Sequence, residues 1–164
     1  MAIVSRKYSA PRLQRDGRRL VTYVFTDDEG NEYSVKRFLS QGDDVATTMA
    51  IAESSVVNSL REYELDRIID NIRSGLLFGR LAAGLDPTLI TAKWATPAEV
   101  QARLFQWFST APANDARYLV PAISALTDAD LMTMLSIDQA AVDTIRARVA
   151  LLSQINDLTV AADG

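Results

Sequence analysis

The chain has 164 residues, of which 48% are hydrophobic and 23% are charged, and it contains neither cysteine nor histidine. This length suffices for one domain with its own core, and the composition predicts neither a disordered chain nor a membrane protein. The two missing residue types exclude disulfides, thiolate catalysis and the commonest general base and transition-metal ligand, so we expect no cofactor or metal and disfavour an enzyme.

The net charge of −4 hides a basic N-terminal segment on an otherwise acidic chain. Residues 1–19 contain six basic residues and one acid, whereas the remainder contains 11 basic residues and 20 acids. We interpret residues 1–18 as a basic extended arm, since Pro11 and Gly17 interrupt any regular period. Such an arm can bind nucleic acid or the acidic surface of a neighbouring copy. Its candidate contact residues are Arg12, Arg15, Arg18 and Arg19.

The first residues do not resemble a secretory signal, because Arg6 and Lys7 follow Val4 without a continuous apolar core. No stretch approaches the roughly 20 apolar residues that a membrane-spanning helix needs. We therefore expect synthesis in a host cytoplasm and no membrane contact.

Residues 19–40 predict a β-hairpin, since residues 20–26 are rich in β-branched and aromatic side chains and residues 33–38 alternate in polarity. Gly30 between them suits a turn that needs positive φ. The acidic turn at residues 27–32 departs from the calcium-loop spacing, which favours a solvated tip over a metal site. Two short strands are marginal alone, so we expect a partner. The candidate contact residues are Tyr23, Phe25, Tyr33 and Val35.

Residues 41–75 predict a long helix, since aspartates can cap its start and the next glycine is Gly75. Its apolar residues form two stripes rotated around the axis, at residues 45–63 and 65–72. Heptads are not sustained, so a bent or shared bundle helix fits better than a two-stranded coiled coil. Arginines and acids alternate between residues 61 and 73, which is typical of ion pairs on an exposed helix face. We expect other chains to bury the second stripe, which consists of Leu65, Ile68, Ile69 and Ile72.

Residues 76–95 are interpreted as an apolar, glycine-rich connector, and no Gly-Lys-Ser or Gly-Lys-Thr signature there indicates a phosphate loop. Residues 96–160 predict a helical subdomain, with helix starts at Thr96, Thr127 and Ser136 and an interruption or restart at Pro121. Aromatic residues between 94 and 118 predict a core more strongly than a base-stacking platform. The predicted fold class is α+β, mainly α with an N-terminal β-hairpin, a long helix and a small C-terminal helical bundle.

The hairpin segment RLQRDGRRLVTYVFTDDEGNEYSVKRFL and the helix beginning QGDDVATTMAIAESSVVNSL resemble, with the basic arm, small structural proteins of tailed bacteriophages. The resemblance lies in the organisation of residues 10–75. It implies a virion subunit of the baseplate, tail or head-to-tail connector, whose hairpin augments a neighbour's sheet and whose long helix bundles with other chains.

The hypothesis is therefore a non-enzymatic assembly subunit that forms homo- or hetero-oligomers. One alternative is a transient assembly chaperone or adaptor that is not retained in the particle. A less favoured alternative is a DNA-associated regulator that uses the basic arm.

Overall fold

The computed structural model describes residues 1–77 and 92–162. These residues form an N-terminal antiparallel sheet of four strands, one long helix, four shorter helices and a 3-10 turn. The predicted α+β class with a long helix is confirmed. The chain divides into two compact units, unit 1 (Met1–Tyr63) and unit 2 (Glu64–Gly164).

The sheet of unit 1 has a central strand that is paired on both sides. Its strands are β1 (Ile3–Tyr8), β2 (Arg12–Leu13), β3 (Arg19–Asp27) and β4 (Glu32–Leu39). β1 and β2 pair with one side of β3 and β4 pairs with the other, all antiparallel. The prediction of an extended arm at residues 1–18 is therefore wrong where β1 and β2 form. The reason is that β3 carries backbone donors and acceptors along both sides, and residues 3–13 satisfy the row that β4 leaves unpaired.

One face of this sheet packs on the first part of the long helix α1 (Val45–Leu77). Alternate residues of β3 point toward the helix, so that Tyr23 and Phe25 are fully buried. Their prediction as partner contacts is wrong, because they form the core of their own unit. The buried residues of this core are Val21, Tyr23, Phe25, Leu39 and Ala52.

Helix α1 continues through Gly75 to Leu77, two residues beyond the predicted end of the helix at residue 75. Ile72 and Leu76 on either side of it are buried in unit 2, and this packing outweighs the cost of about 1 kcal/mol for glycine inside a helix. Most of the predicted connector, residues 78–91, lies outside the described residues.

Unit 2 contains the end of α1 and four further helices. These are α2 (Pro97–Thr110), α3 (Ala116–Ser124), α4 (Asp128–Leu135) and α5 (Gln139–Ala162), with a 3-10 turn at Ala113–Asp115. Their core includes the second stripe of α1, namely Leu65, Ile68, Ile69 and Ile72. The prediction that other chains bury this stripe is therefore wrong, because α1 turns it toward helices of the same unit.

Local signals define most helix starts in unit 2. Helices begin after Thr96 and Thr127, as predicted, and each of these threonines forms a capping box. Helix α3 runs through Pro121 instead of restarting there. Ser136 does not cap α5: it ends α4 in a left-handed conformation with φ of 55°, and the Asp138 carboxylate accepts the amide of Ala141 at 2.9 Å. A serine and an aspartate two residues apart both resemble caps, and only the backbone conformation distinguishes them.

Candidate functional sites

A buried carboxylate, Asp115, organises a polar cluster in unit 2. Only 4% of Asp115 is exposed. Its Oδ2 accepts a hydrogen bond from Trp107 Nε1 at 2.9 Å, and its Oδ1 accepts one from the Tyr118 hydroxyl at 2.6 Å. The Arg73 guanidinium lies 3.4 Å from the same Oδ2 and 5.6 Å from the Trp107 ring centre. Burial, and then the hydrogen bond to Asp115, raise the pKa of Tyr118. Both carboxylate oxygens of Asp115 are thus hydrogen-bonded, which is typical of a structural network, whereas the Nε of Arg73 is buried without a hydrogen-bond partner.

A second buried carboxylate, Glu64, holds the chain that leads into α2. It is 5% exposed and accepts the backbone amides of Lys93, Trp94 and Ala95, the last two at 2.7 and 2.8 Å. Burial acts to raise the pKa of Glu64, but the three amide hydrogen bonds outweigh it and lower the pKa. The predicted exposed helix face is therefore wrong at this residue, because its carboxylate points inward and replaces water as the acceptor for three amides.

The neighbouring acids of α1 do lie on the surface. Asp70 pairs with Arg73 at 3.2 Å, in the predicted three-residue spacing. Asp66 pairs instead with Arg103 of α2 at 2.8 Å. These exposed pairs have the geometry of surface ion pairs, each contributing about 0–1 kcal/mol.

The third buried carboxylate, Asp27, closes the turn between β3 and β4. It is 1% exposed, and its Oδ1 accepts the amides of Glu29 and Asn31, both at 2.9 Å. Its Oδ2 accepts the Asn31 side-chain amide at 2.9 Å and the Tyr33 hydroxyl at 2.8 Å. Burial acts to raise the pKa of Asp27, yet these hydrogen bonds outweigh it and lower the pKa to about 2. The predicted solvated tip is therefore wrong at Asp27, because the carboxylate supplies acceptors that the turn backbone needs.

The four arginines predicted as contact residues differ in how far they bond to the rest of unit 1. Arg12 and Arg15 are exposed. Arg18 binds Asp16 at 2.6 Å and lies over the Phe38 ring at 4.3 Å from its centre. Arg19 donates to the carbonyls of Ser40 at 3.3 Å and of residue 43 at 3.0 Å. Because two of these four arginines are engaged within unit 1, less of their charge is available to nucleic acid.

The strand β4 has one paired edge and one open edge among the described residues. The Asp27 amide donates to the Asn31 carbonyl at 3.0 Å, which sets the alternation of the β3–β4 ladder. Thr22, which lies opposite Lys36, uses its carbonyl to accept the Ser9 amide at 2.9 Å on the β1 side. Both contacts show that Asn31 lies in a hydrogen-bonded pair of the ladder and Lys36 in a non-hydrogen-bonded pair. The backbone N–H and C=O groups of Lys36 and of every second residue from it in β4 therefore point away from β3. These residues are Glu32, Ser34, Lys36 and Phe38, and all four are exposed.

The other β4 residues predicted as contacts face the opposite way. Tyr33 and Val35 are partly buried, and Val35 packs against the core of unit 1. Tyr33 and Val35, the two residues of β4 predicted as contacts, therefore share the less exposed face of the strand. The alternation of residues 33–38 carried the signal that would have found the exposed set.

Large exposed hydrophobic side chains are concentrated in unit 1. Six of the seven that the described residues contain belong to it, and the seventh, Leu151, belongs to unit 2. The six are Val4, Tyr8, Leu13, Phe38, Ile51 and Tyr63. Among the described residues, unit 1 therefore leaves more large hydrophobic side chains exposed than unit 2 does.

Two features are absent from the described residues. None of their helices combines the length and apolar composition that crossing a bilayer requires. No group of three or more acidic side chains among them is arranged to hold a metal ion. No known protein family matches the chain, and comparisons with curated proteins and with solved structures also find no match.

Proposed function

We propose that this chain is a non-enzymatic assembly subunit that acts through contacts with other protein chains. The observation that carries the proposal is the unequal burial of the two units. Among the described residues, the core cluster of unit 1 has five buried hydrophobic residues and that of unit 2 has 21. Unit 1 nevertheless presents six large exposed hydrophobic side chains and an open strand edge. A partner chain that covered this surface would bury further apolar area there.

The state of the buried carboxylates supports a structural role. Asp27, Glu64 and Asp115 each accept at least three hydrogen bonds or ion-pair contacts from the chain itself. The pKa values of Asp27 and Glu64 are lowered, and a carboxylate with a lowered pKa is a weak proton acceptor at neutral pH. Their chemistry is that of turn and loop anchors.

The setting we propose is the virion of a tailed bacteriophage, in its baseplate, tail or head-to-tail connector, after synthesis in the host cytoplasm. The organisation of residues 10–75 supports this setting, since a sheet with an open edge is followed by a helix of 33 residues. Such elements suit strand addition and helix packing between repeated subunits.

Quantitative mass spectrometry of particles purified from cells that carry the gene tests this proposal. A virion subunit is expected at a fixed ratio to the major particle proteins after density-gradient purification and a high-salt wash. A chain that is found with assembly intermediates and lost from finished particles would instead be a transient chaperone. A chain found in neither fraction would contradict both roles.

A further inference from the structure

We infer that two copies of this chain pair through their β4 edges, antiparallel about a twofold axis at Ser34, so that two sheets join into one. The inference rests on the proposed function and deepens it, because it names a second copy of the chain as the partner. It also specifies which residues meet across the contact.

The backbone of β4 provides the hydrogen bonds for such a contact. The N–H and C=O groups of Glu32, Ser34 and Lys36 point away from β3, as the ladder alternation requires. Across a twofold axis at Ser34, each of these residues faces a residue of the second copy with the same outward orientation. An eight-residue edge strand with outward backbone groups is a template for strand pairing.

The charges of β4 select the register. An axis at Ser34 places Glu32 opposite Lys36 of the second copy, and the symmetry repeats this pair. An axis at Lys36 would place the two copies of Lys36 opposite each other. An axis at Val35 would place Glu32 opposite Phe38 of the second copy. An axis at Tyr33 would leave Lys36 without an acidic partner. Of these four axes, only the one at Ser34 pairs Glu32 and Lys36 with opposite charges of the second copy. It also places a small side chain at the centre of the contact.

Space for the second copy is available beside this edge. A groove follows β4 and is lined on the helix side by Ser55, Val56, Ser59 and Leu60. Two of these four residues are serines, so α1 presents short side chains where the second strand approaches. On this face the axis at Ser34 brings Tyr33 next to Val35 of the second copy, which adds an aromatic to β-branched pair.

Charge reversal tests the register directly. Glu32→Lys and Lys36→Glu each replace two attractive pairs by two repulsive ones, and each is expected to weaken self-association by about tenfold or more. An equimolar mixture of the two variants restores both attractive pairs and is expected to form a heterodimer. The matched control is Lys7→Glu, which reverses an exposed charge on β1 and is expected to leave dimerisation unchanged. Native mass spectrometry and sedimentation velocity measure all four samples.

A backbone variant provides an independent measurement. Ser34→Pro removes an amide that points away from β3, so it is expected to abolish the dimer while leaving the far-ultraviolet circular dichroism unchanged. The inference is overturned if the wild-type chain remains monomeric up to hundreds of micromolar. It is also overturned if the variants and their mixture associate as the wild type does. Either result leaves the particle measurement free to support contacts with a different protein, so failure of the inference is distinguishable from failure of the proposed function.

Discussion

The Oδ2 atom of Asp115 accepts a hydrogen bond from the indole Nε1 of Trp107 at 2.9 Å and lies 3.4 Å from the guanidinium of Arg73. Asp115 and Arg73 are 42 residues apart in the sequence. The contact thus joins α1 to the turn that follows α2. It also places the positive charge of Arg73 beside the buried negative charge of Asp115.

Replacing the central carboxylate tests whether this network stabilises unit 2. Asp115→Asn keeps the shape but removes the negative charge and one acceptor, so we expect a loss of about 3 kcal/mol in the free energy of unfolding. Urea unfolding followed by tryptophan fluorescence measures it, since both tryptophans, Trp94 and Trp107, lie in unit 2. The control Tyr118→Phe removes one hydroxyl and is expected to cost about 1 kcal/mol. A change below about 0.5 kcal/mol for Asp115→Asn would contradict the assignment.

The anchor at Glu64 leads to a second prediction. Glu64→Gln replaces one carboxylate oxygen by an NH₂ group, which cannot accept an amide hydrogen bond, so at least one of the three amides loses its acceptor. We expect unit 2 to lose about 2 kcal/mol of stability. Glu62→Gln on the exposed surface of the same helix is the matched control, with an expected change within about 0.5 kcal/mol. Equal effects of the two substitutions would refute the anchoring role.

The turn carboxylate Asp27 predicts a dependence of stability on pH. Its pKa in the folded chain is about 2, below the ordinary value of 3.8. Its contribution is therefore complete above the ordinary value and is lost as the pH falls through about 2. Urea midpoints from circular dichroism at pH 5 and at pH 2 measure this loss. Asp27→Asn should lower the midpoint at pH 5 and flatten its change with pH, whereas Asp28→Asn, an exposed neighbour, should do neither.

Two phenylalanines distinguish the core of unit 1 from its surface. Phe25 is fully buried and Phe38 is 51% exposed. We expect Phe25→Ala to cost about 3–5 kcal/mol at any protein concentration and Phe38→Ala to cost less than about 1 kcal/mol. Thermal unfolding at several concentrations measures both. If Phe25→Ala weakened association and left the stability of the monomer unchanged, Phe25 would be a partner contact after all.

The helix starts at Thr96 and Thr127 were predictable, because a capping box depends on residues that are three positions apart. Strand β1 was not, since Arg6 and Lys7 give a charged pattern that becomes a strand only by pairing with β3. Arg6 also pairs with Glu53 of α1 at 2.6 Å, a partner 47 residues away.

The buried carboxylates show the same limit. Glu64 lies in a run of alternating charges, and its amide partners begin 29 residues later in the sequence. Nothing within the run distinguishes it from the exposed Asp66 and Asp70. The open edge of β4 was predictable in part. The sequence predicted the strand and the alternation of its side chains, but only the pairing with β3 shows which backbone groups point outward.

Residue-resolved amide hydrogen exchange of the full chain, measured by NMR at a dilute and at a concentrated condition, tests the central claim that unit 1 contacts other chains through β4. We predict that the amides of Ser34 and Lys36 exchange quickly when dilute and at least tenfold more slowly when concentrated. The amides of Val35 and Arg37, which bond to β3, should be slow in both conditions and serve as internal controls. Unchanged exchange at Ser34 and Lys36, together with concentration-dependent slowing confined to unit 2, would contradict the account.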